Sequence, residues 1–382
     1  MSQSPGVMTV EVRPWGSRSP CPARRLGPRP RSAPSPRKAA VEQSIVWPVL
    51  RAARTKGFVM RSATLSCVLI GAFHAPMAAQ TQRIGTVEVY GARHISPDEV
   101  KRASGLSAGE PAPEDGAAIE ARVRRLRGVS ETQVSVVCCE NGESVVYIGI
   151  QEGRPRLETR AAPTGVVALP EEVMNAEVEF SSALQEAVEQ GRADEDHSAG
   201  HALMKDPRAR EAQERFIDLA ALYGDSLRLV LRESRFPLQR ALAAQVLGYL
   251  PDKRMAVEAL TPALTDASAA VRNDAARAVW IIADYARDKP ELRVSVPVEP
   301  LVAMLHSLVW TDRNKSSLVL MALTASRDST LLALLDARAR AELEEMAAWK
   351  TQHALAPFVV LGRIDGREDQ EIFAAWQARG SG

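Results

Sequence analysis

Residues 238–286 read LQRALAAQVLGYLPDKRMAVEALTPALTDASAAVRNDAARAVWIIADYA, and this stretch decides the fold. Its first part, Leu238 to Val246, aligns with Val271 to Val279 at an offset of 33 residues. A repeat of that period, built from paired amphipathic helices, is typical of a helical solenoid. Such arrays present extended binding surfaces, so the repeat favours a binding protein over an enzyme.

The second half of this stretch, TDASAAVRNDAARAVWIIADYA, resembles a HEAT repeat of the short bacterial type also seen in phycobilin lyases. The shared pattern is a turn aspartate, here Asp266, followed by V-R-x-x-A-A, which begins at Val271. In HEAT arrays the aspartate and the arginine form a ladder between repeats, so the resemblance implies a structural role for Asp266 and Arg272. In the earlier copy Gln239 aligns with the arginine, which predicts an irregular stack.

Five helix pairs are expected between residues 210 and 379, so that the fold class is a small α+β domain followed by an all-α HEAT-like solenoid. Alanines on the packed faces let neighbouring helices approach closely, while larger side chains fill the space between layers. An additional helix, 338–348, is expected between the last two pairs. The expected pairs are 210–223 with 225–235, 237–250 with 253–265, 269–286 with 297–310, 313–326 with 328–337, and 349–363 with 367–379.

Charge is distributed unevenly along the 382 residues. Residues 1–79 hold twelve Lys and Arg against two acids, whereas the rest of the chain holds 36 basic and 45 acidic residues. The formal net charge of +1 is therefore the sum of a basic start and an acidic body. Nucleic acid is bound by basic surfaces, so the acidic body argues against a nucleic-acid partner.

The first 79 residues are expected to lie outside the folded body. Residues 1–59 carry nine prolines and little that can form a core, which predicts disorder or a misread start upstream of translation at Met60. From Met60 the text MRSATLSCVLIGAFHAPMAA has a positive start, an apolar run and a small-residue end, the layout of a secretory signal peptide. We therefore expect a signal peptide at 60–79 and a periplasmic or otherwise exported bacterial protein without a transmembrane span. A disordered extension before a short buried helix is the alternative.

Residues 83–152 are expected to form the small α+β domain, in the order strand, helix, helix, strand, strand. Alternating apolar residues indicate the strands, and a capping box with proline at the first helical position begins the first helix. The expected elements are strands at 83–90, 132–138 and 144–150, and helices at 97–104 and 113–127. Asn141 and Gly142 are typical of a hairpin turn. Cys138 and Cys139 should lie on opposite faces of a strand, as free thiols rather than a disulfide.

This unit resembles a POTRA domain. The resemblance rests on IGTVEVYGARHISPDEVKRASGL, on the step RLRGV, and on the strands TQVSVV and VVYIGIQEG. In that family the domain is a periplasmic docking module that commonly adds a partner strand to its exposed second strand. The resemblance implies a partner-binding edge at Gln133, Val134, Ser135 and Val136, because unpaired backbone groups of an edge strand bind an extended segment. The alternative is that the next domain covers this edge.

A histidine pair stands in the region that joins the two folded parts. His197 and His201 are four residues apart beside three acids, a spacing that suits a metal only on a helix. Gly200 weakens the helix, and no third ligand is evident, so we expect a polar loop whose histidines pack locally; the metal site is the alternative. The expected division of the chain is 1–59 extension, 60–79 signal peptide, 83–152 POTRA-like domain, 153–169 linker, 170–209 helix and polar loop, and 210–379 HEAT-like repeats.

Two common catalytic motifs are missing from the sequence. It contains no phosphate-binding G-x-x-x-x-G-K-[ST] and no H-E-x-x-H. We therefore expect no enzyme and no cofactor, but an exported scaffold or adaptor that binds proteins of the cell envelope. The competing hypothesis is a phycobilin-lyase-like or other small-molecule-handling HEAT protein, which would need a pocket with convergent polar groups. A third is that the solenoid only rigidifies an envelope assembly.

Overall fold

The computed structural model describes residues 82–153 and 157–379. The expected extension at 1–59 and the signal peptide at 60–79 lie outside the described residues. Within the described part, a small three-stranded sheet with two helices is followed by a much larger helical part.

The sheet and its helices follow the predicted order of strand, helix, helix, strand, strand. Ser96 accepts the N–H of Asp98 and caps the first helix, and Gly105 ends it in the left-handed conformation that glycine adopts without strain. The second helix is shorter than predicted. The elements are β1 (Ile84–Tyr90), α1 (Pro97–Ser104), α2 (Ala117–Val123), β2 (Val129–Glu140) and β3 (Glu143–Glu152).

The turn between β2 and β3 is the predicted Asn-Gly hairpin, with positive φ at both Asn141 and Gly142. The two free thiols expected before it were wrong, because Cys138 is disulfide-bonded. The pairing of β2 with β3 shifts register between Val137 and Glu140. The strict alternation of faces, on which that expectation rested, therefore fails at Cys138.

The central strand of the sheet is β3, which pairs in parallel with β1 and antiparallel with β2. Alternate residues of a strand point to opposite faces. One face packs on α1 and α2, with Val146 and Ile148 in that core. Tyr90 and Tyr147 on the other face belong to the core of the helical part. The sheet is therefore covered on both faces.

The helical part contains ten helices and one very short hairpin among the described residues. They are α3 (Glu171–Glu189), β4 (Glu195–Asp196), β5 (Leu203–Met204), α4 (Pro207–Glu233), α5 (Pro237–Leu247), α6 (Lys253–Leu260), α7 (Ala269–Ala286), α8 (Glu299–Leu305), α9 (Trp310–Leu323), α10 (Ser329–Ala347), α11 (Leu355–Ile364) and α12 (Asp369–Arg379). Short 3-10 turns lie between several of them.

Two breaks that were expected between helices are absent. The expected pair 210–223 and 225–235 is one helix, α4, because Gly224 lies inside it at a close approach to Leu250 rather than at a break. A glycine inside a helix costs ~1 kcal/mol, which tertiary packing readily offsets. The expected helices 328–337 and 338–348 are likewise one, α10, since no glycine or proline separates them.

The helices α4, α5, α7, α9 and α11 pack side by side in that order. The shorter α6 packs beside α7, α8 beside α9, and α10 beside α11. Small side chains make this close packing possible: Ala275, Ala276 and Ala278 of α7 are all buried. This arrangement is compatible with an α-solenoid.

The expected linker at 153–169 is an ordered extended segment over its described residues, 157–169, and we call this segment the strap. The backbone N–H of Arg160 donates to Thr265 O at 2.7 Å, and its guanidinium reaches Asp266 at 3.3 Å. Gly165 O accepts the N–H of Arg235 at 2.8 Å. The strap thus runs past the starts of α7 and α5 before α3 begins.

The sheet is held on the helices by aromatic packing around Tyr147. Its ring stacks on Trp310 at 4.8 Å and meets Trp349 at 5.0 Å. Its hydroxyl lies 2.8 Å from both Thr351 and His353. Because the ring is fully buried and its polar atom is satisfied, this contact favours one orientation of the sheet on the helices.

Candidate functional site

The strand order places β2 at an edge of the sheet. Of the four residues expected at the partner-binding edge, Gln133, Val134 and Ser135 are half-buried, and Val136 is 38% exposed. The edge of β2 is therefore accessible at Val136. The helices that cover the faces of the sheet do not extend across this edge.

An internal acceptor already occupies part of that edge. Glu120 of α2 accepts the N–H of Val134 at 2.8 Å. Successive residues of an edge strand point their backbone groups alternately inward and outward, so Val136 directs its N–H outward like Val134, while Ser135 bonds β3. An added strand would therefore find an open donor at Val136 and a blocked one at Val134.

Asp266 and Arg272, the residues expected in a ladder, belong to two successive buried ion pairs. Arg240 of α5 donates to Asp266 at 3.0 and 2.7 Å. Arg272 of α7 donates to Asp312 of α9 at 2.7 Å. All four side chains are almost completely buried. The first pair thus joins the start of α5 to the turn before α7. The second pair joins the start of α7 to the start of α9.

The same arginines reveal the true register of the repeat. Each donates to the carbonyl six residues earlier: Arg240 to Ser234 and Arg272 to Asp266, both at 2.7 Å. Arg240 is therefore the counterpart of Arg272, at an offset of 32 residues, and the alignment of Gln239 with Arg272 was wrong. Gln239 instead accepts the N–H of Leu169 in the strap at 2.9 Å. The expected irregularity at this position was a misalignment.

The histidine pair is divided between two different environments. His197 Nε2 lies 2.9 Å from Glu195 Oε2, and its ring packs edge-on against Trp280. His201 Nδ1 lies 3.4 Å from Lys253 Nζ, and its ring packs against Tyr249. Across residues 82–153 and 157–379, no group of three or more His, Cys, Asp or Glu side chains is placed to hold a metal ion.

A cavity that the sequence did not predict lies beside this pair, and we call it the α7 cavity. It has a volume of about 70 Å³ and is enclosed by α3, the β4–β5 hairpin, α4, α5 and α7. The hairpin is anchored on several sides: Glu195 pairs with Arg277 of α7, and Met204 donates its N–H to Gln213 of α4 at 2.6 Å. These contacts fix the wall that the hairpin contributes.

The partly buried carboxylate of Asp274 lines the polar side of the α7 cavity, and it interacts with the partly buried Glu177 of α3. Burial raises the pKa of Asp274 to about 7, although the hydrogen bond from Asn273 and the charge of Arg277 act in the opposite direction. Burial, together with the charge of Asp274, raises the pKa of Glu177 to about 7 as well. Glu177 accepts hydrogen bonds from Ser181 at 2.7 Å and Gln245 at 3.3 Å. Such groups are common in functional sites and also occur in structural networks.

A neutral imidazole faces the cavity from another wall. Burial, and next the charge of Lys253, lower the pKa of His201 to about 4. Because the Lys253 ammonium can only donate, His201 Nδ1 accepts, and the ring proton lies on Nε2. That Nε2 atom is buried and has no hydrogen-bond partner among the described residues. The cavity therefore has one donor whose acceptor is absent.

The sequence did contain a signal for this cavity. Asn273, Asp274 and Arg277 lie close together on α7, among residues that are mostly buried. Polar side chains in a buried helix face one another or a cavity, because unpaired polar groups are costly in a core.

Comparison with known proteins identifies no relative: no protein-family model matches the chain, and no curated protein sequence matches it. In the part of the chain that the structure describes, no helix is long and apolar enough to cross a membrane. The fold thus consists of a small α+β domain that packs on an array of helices.

Proposed function

We propose that this chain is an exported scaffold that binds partner proteins of the cell envelope. In this proposal the sheet is a POTRA-like docking domain, and residues 210–379 form a HEAT-like solenoid. The partner adds an extended segment along β2, with Gln133, Val134, Ser135 and Val136 as the contact edge. The accessible part of the β2 edge, at Val136, is the single observation that carries the proposal.

The covering of the other sheet surfaces supports β2 as the docking edge. The two faces pack on helices, and the outer edge of β1 is occupied at both ends. At its start, Ile84 exchanges hydrogen bonds with Gly109 and Glu110, and just after its end Gly91 donates its N–H to Glu345. Because β-strand addition needs unpaired backbone groups, β2 is the favoured strand.

The rigid mounting of the sheet supports a scaffold role. Arg93 pairs with Glu342 of α10 at 2.8 Å, and Lys350 donates its N–H to Glu88 at 2.7 Å. With the Tyr147 contacts, these hold the edge of β2 at one position relative to the helices. A partner bound at β2 would then meet the helices in a defined geometry, which lowers the entropy cost of a second contact.

A photo-crosslinking experiment tests this proposal. A benzoylphenylalanine at Gln133 should capture a partner segment in the native host, and the crosslink should be lost in Val136→Pro. Proline at this position removes an outward N–H without breaking the ladder to β3, so the fold is kept. Glu120→Ala, which unblocks the N–H of Val134, should increase capture.

Val136→Ala is the matched control, since it shortens the same side chain but keeps the backbone donor. Equal capture by Val136→Pro and Val136→Ala, or capture equally strong from a crosslinker at exposed Leu222 of α4, would contradict strand addition. The captured peptide should map to one segment, as extended-strand recognition requires.

The α7 cavity favours a second candidate function, the small-molecule-handling protein. A pocket with convergent polar groups is what that hypothesis needs, and the cavity brings Asp274, His201 and Gln245 to one place. The two functions are compatible, because β2 and the cavity are formed by different elements.

A further inference from the structure

We propose that the α7 cavity is a binding site for a small amphipathic amine: a protonated amino group on a short apolar body that also carries a hydroxyl or carbonyl acceptor. This site is independent of strand addition at β2. The proposal is built from the walls of the cavity, its charge balance and its unsatisfied donor.

The apolar walls come from two helices. Phe180, Leu184 and Val188 follow one another at helical spacing on α3, and Ile281 of α7 also lines the cavity. Transfer of an alkyl group onto such a wall is favourable in proportion to the apolar area removed from water. The volume of about 70 Å³ admits a short body rather than a ring system of several fused rings.

The polar wall has more acceptors than its own donors satisfy. Asp274 lines the cavity and accepts a hydrogen bond from Asn273 at 2.9 Å. An ionised carboxylate has room for about four, so lone pairs remain for a ligand. Gln245 lines the same wall and leaves its amide oxygen as a further acceptor. A protonated amine, which has three donors, fits this set.

Asp274 also supplies the charge that a cation would meet. Its carboxylate and that of Glu195 line the cavity, and Glu195 is already paired with Arg277 of the same wall. A bound ammonium beside Asp274 would favour the ionised carboxylate.

The unsatisfied donor sets the second requirement on the ligand. The Nε2–H of His201 is buried at the cavity and finds no acceptor among the described residues. A buried donor left unpaired is costly, and a ligand hydroxyl or carbonyl would recover that cost. Asp274 can accept hydrogen bonds from an amine, and His201 can donate one to a hydroxyl or carbonyl. A ligand that satisfies both residues is an amino alcohol or a similar bifunctional amine.

Calorimetric titration of the mature chain with leucinol tests the proposal. Isohexanol, which lacks the amine, and isoamylamine, which lacks the hydroxyl, serve as matched probes. Leucinol should bind at least about tenfold more tightly than either, since each lost polar contact is worth ~1.4 kcal/mol or more. Asp274→Asn should weaken leucinol about tenfold and leave isohexanol unchanged.

Asp284→Asn is the control, because Asp284 lies on the same helix but is exposed. His201→Phe is a second variant, which keeps the test decisive if Asp274→Asn folds poorly; it removes the Nε2 donor and should weaken leucinol but not isoamylamine. Equal affinity for leucinol and isohexanol, no saturable binding of leucinol, or equal losses in Asp274→Asn and Asp284→Asn would overturn the proposal. Loss of partner capture at β2 would leave this result unaffected.

Discussion

At the scale of single residues, the carboxylates of Asp274 at the α7 cavity and of its neighbour Glu177 make stability depend on pH. Their pKa values are about 7 in the folded chain and about 4 when unfolded. A raised folded pKa contributes stability that is fully present below pH ~4 and lost as pH rises to ~7. Asp274 and Glu177 should therefore lower the free energy of unfolding across this range.

The pH prediction is checked by urea unfolding at pH 5 and pH 8. Asp274→Asn should raise the free energy of unfolding at pH 8 relative to wild type, by on the order of 1 kcal/mol, and change it less at pH 5. Asp284→Asn, on the exposed side of α7, should leave the difference between the two pH values unchanged. A larger effect of Asp274→Asn at pH 5 than at pH 8 would contradict the assignment.

The ladder arginine Arg272 should be among the most sensitive residues of the chain. Arg272→Met leaves Asp312 charged and buried without its partner, which costs ~3–5 kcal/mol. The double variant Arg272→Met with Asp312→Leu should recover much of this loss, because no unpaired charge remains. Arg287→Met, which breaks the partly exposed pair with Asp284, should cost less than ~1 kcal/mol.

Chemical denaturation of these variants measures the ladder directly. If Arg272→Met and Arg287→Met lose equal stability, the buried pair is not a major support of the stack. The pair of Arg240 with Asp266 has the same geometry and should respond in the same way.

At the scale of elements, two glycines play different roles: Gly224 lies inside a continuous helix, whereas Gly248 lies where two helices approach closely. A Cβ at Gly224 in α4 would lie 3.4 Å from Leu250, whereas one at Gly248 would lie 2.8 Å from the Cβ of Ala278 in α7. Gly224→Ala should therefore raise the free energy of unfolding by ~0.5–1 kcal/mol, because alanine favours a helix interior. Gly248→Ala should lower it, since the backbones of α5 and α7 must separate.

Thermal unfolding of the two alanine variants provides the measurement. Neither glycine has a positive φ, so backbone strain does not enter the comparison. A loss of stability in Gly224→Ala comparable to that in Gly248→Ala would show that α4 is not the unbroken helix seen here.

At the scale of the whole molecule, Tyr147 couples the sheet to the helices. Tyr147→Phe keeps the ring but leaves Thr351 and His353 with one hydrogen-bond partner fewer, which should cost ~1–2 kcal/mol while one unfolding transition is retained. Tyr147→Ala removes the buried ring, should cost ~3–5 kcal/mol, and should split unfolding into two transitions.

Hydrogen exchange of β3 amides and of α7 amides follows the two parts separately. They should open together in the wild type and in Tyr147→Phe, and at different denaturant concentrations in Tyr147→Ala. A single shared transition in Tyr147→Ala would mean that the remaining contacts, among them those of Arg93, Lys350 and Gly91, suffice to join the two parts.

The sequence by itself determined the local features. The order of strands and helices in residues 83–152 followed from side-chain alternation, and Ser96, Asn141 and Gly142 marked a helix start and a hairpin turn. These signals act over a few residues through backbone conformation and local hydrogen bonds, so they can be read without the fold. The helical character of residues 238–286 was equally local.

Only the tertiary structure decided what those elements meet. Gly224 continues α4 because packing against Leu250 outweighs its weak helix propensity, and Arg240 replaces Gln239 in the ladder because the register depends on a partner 26 residues away. The α7 cavity draws its walls from five elements far apart in sequence, so no single segment predicts it. Burial and charge pairing are properties of neighbours in space, which is why the polar residues Asp274 and His201 acquired a meaning only in the fold.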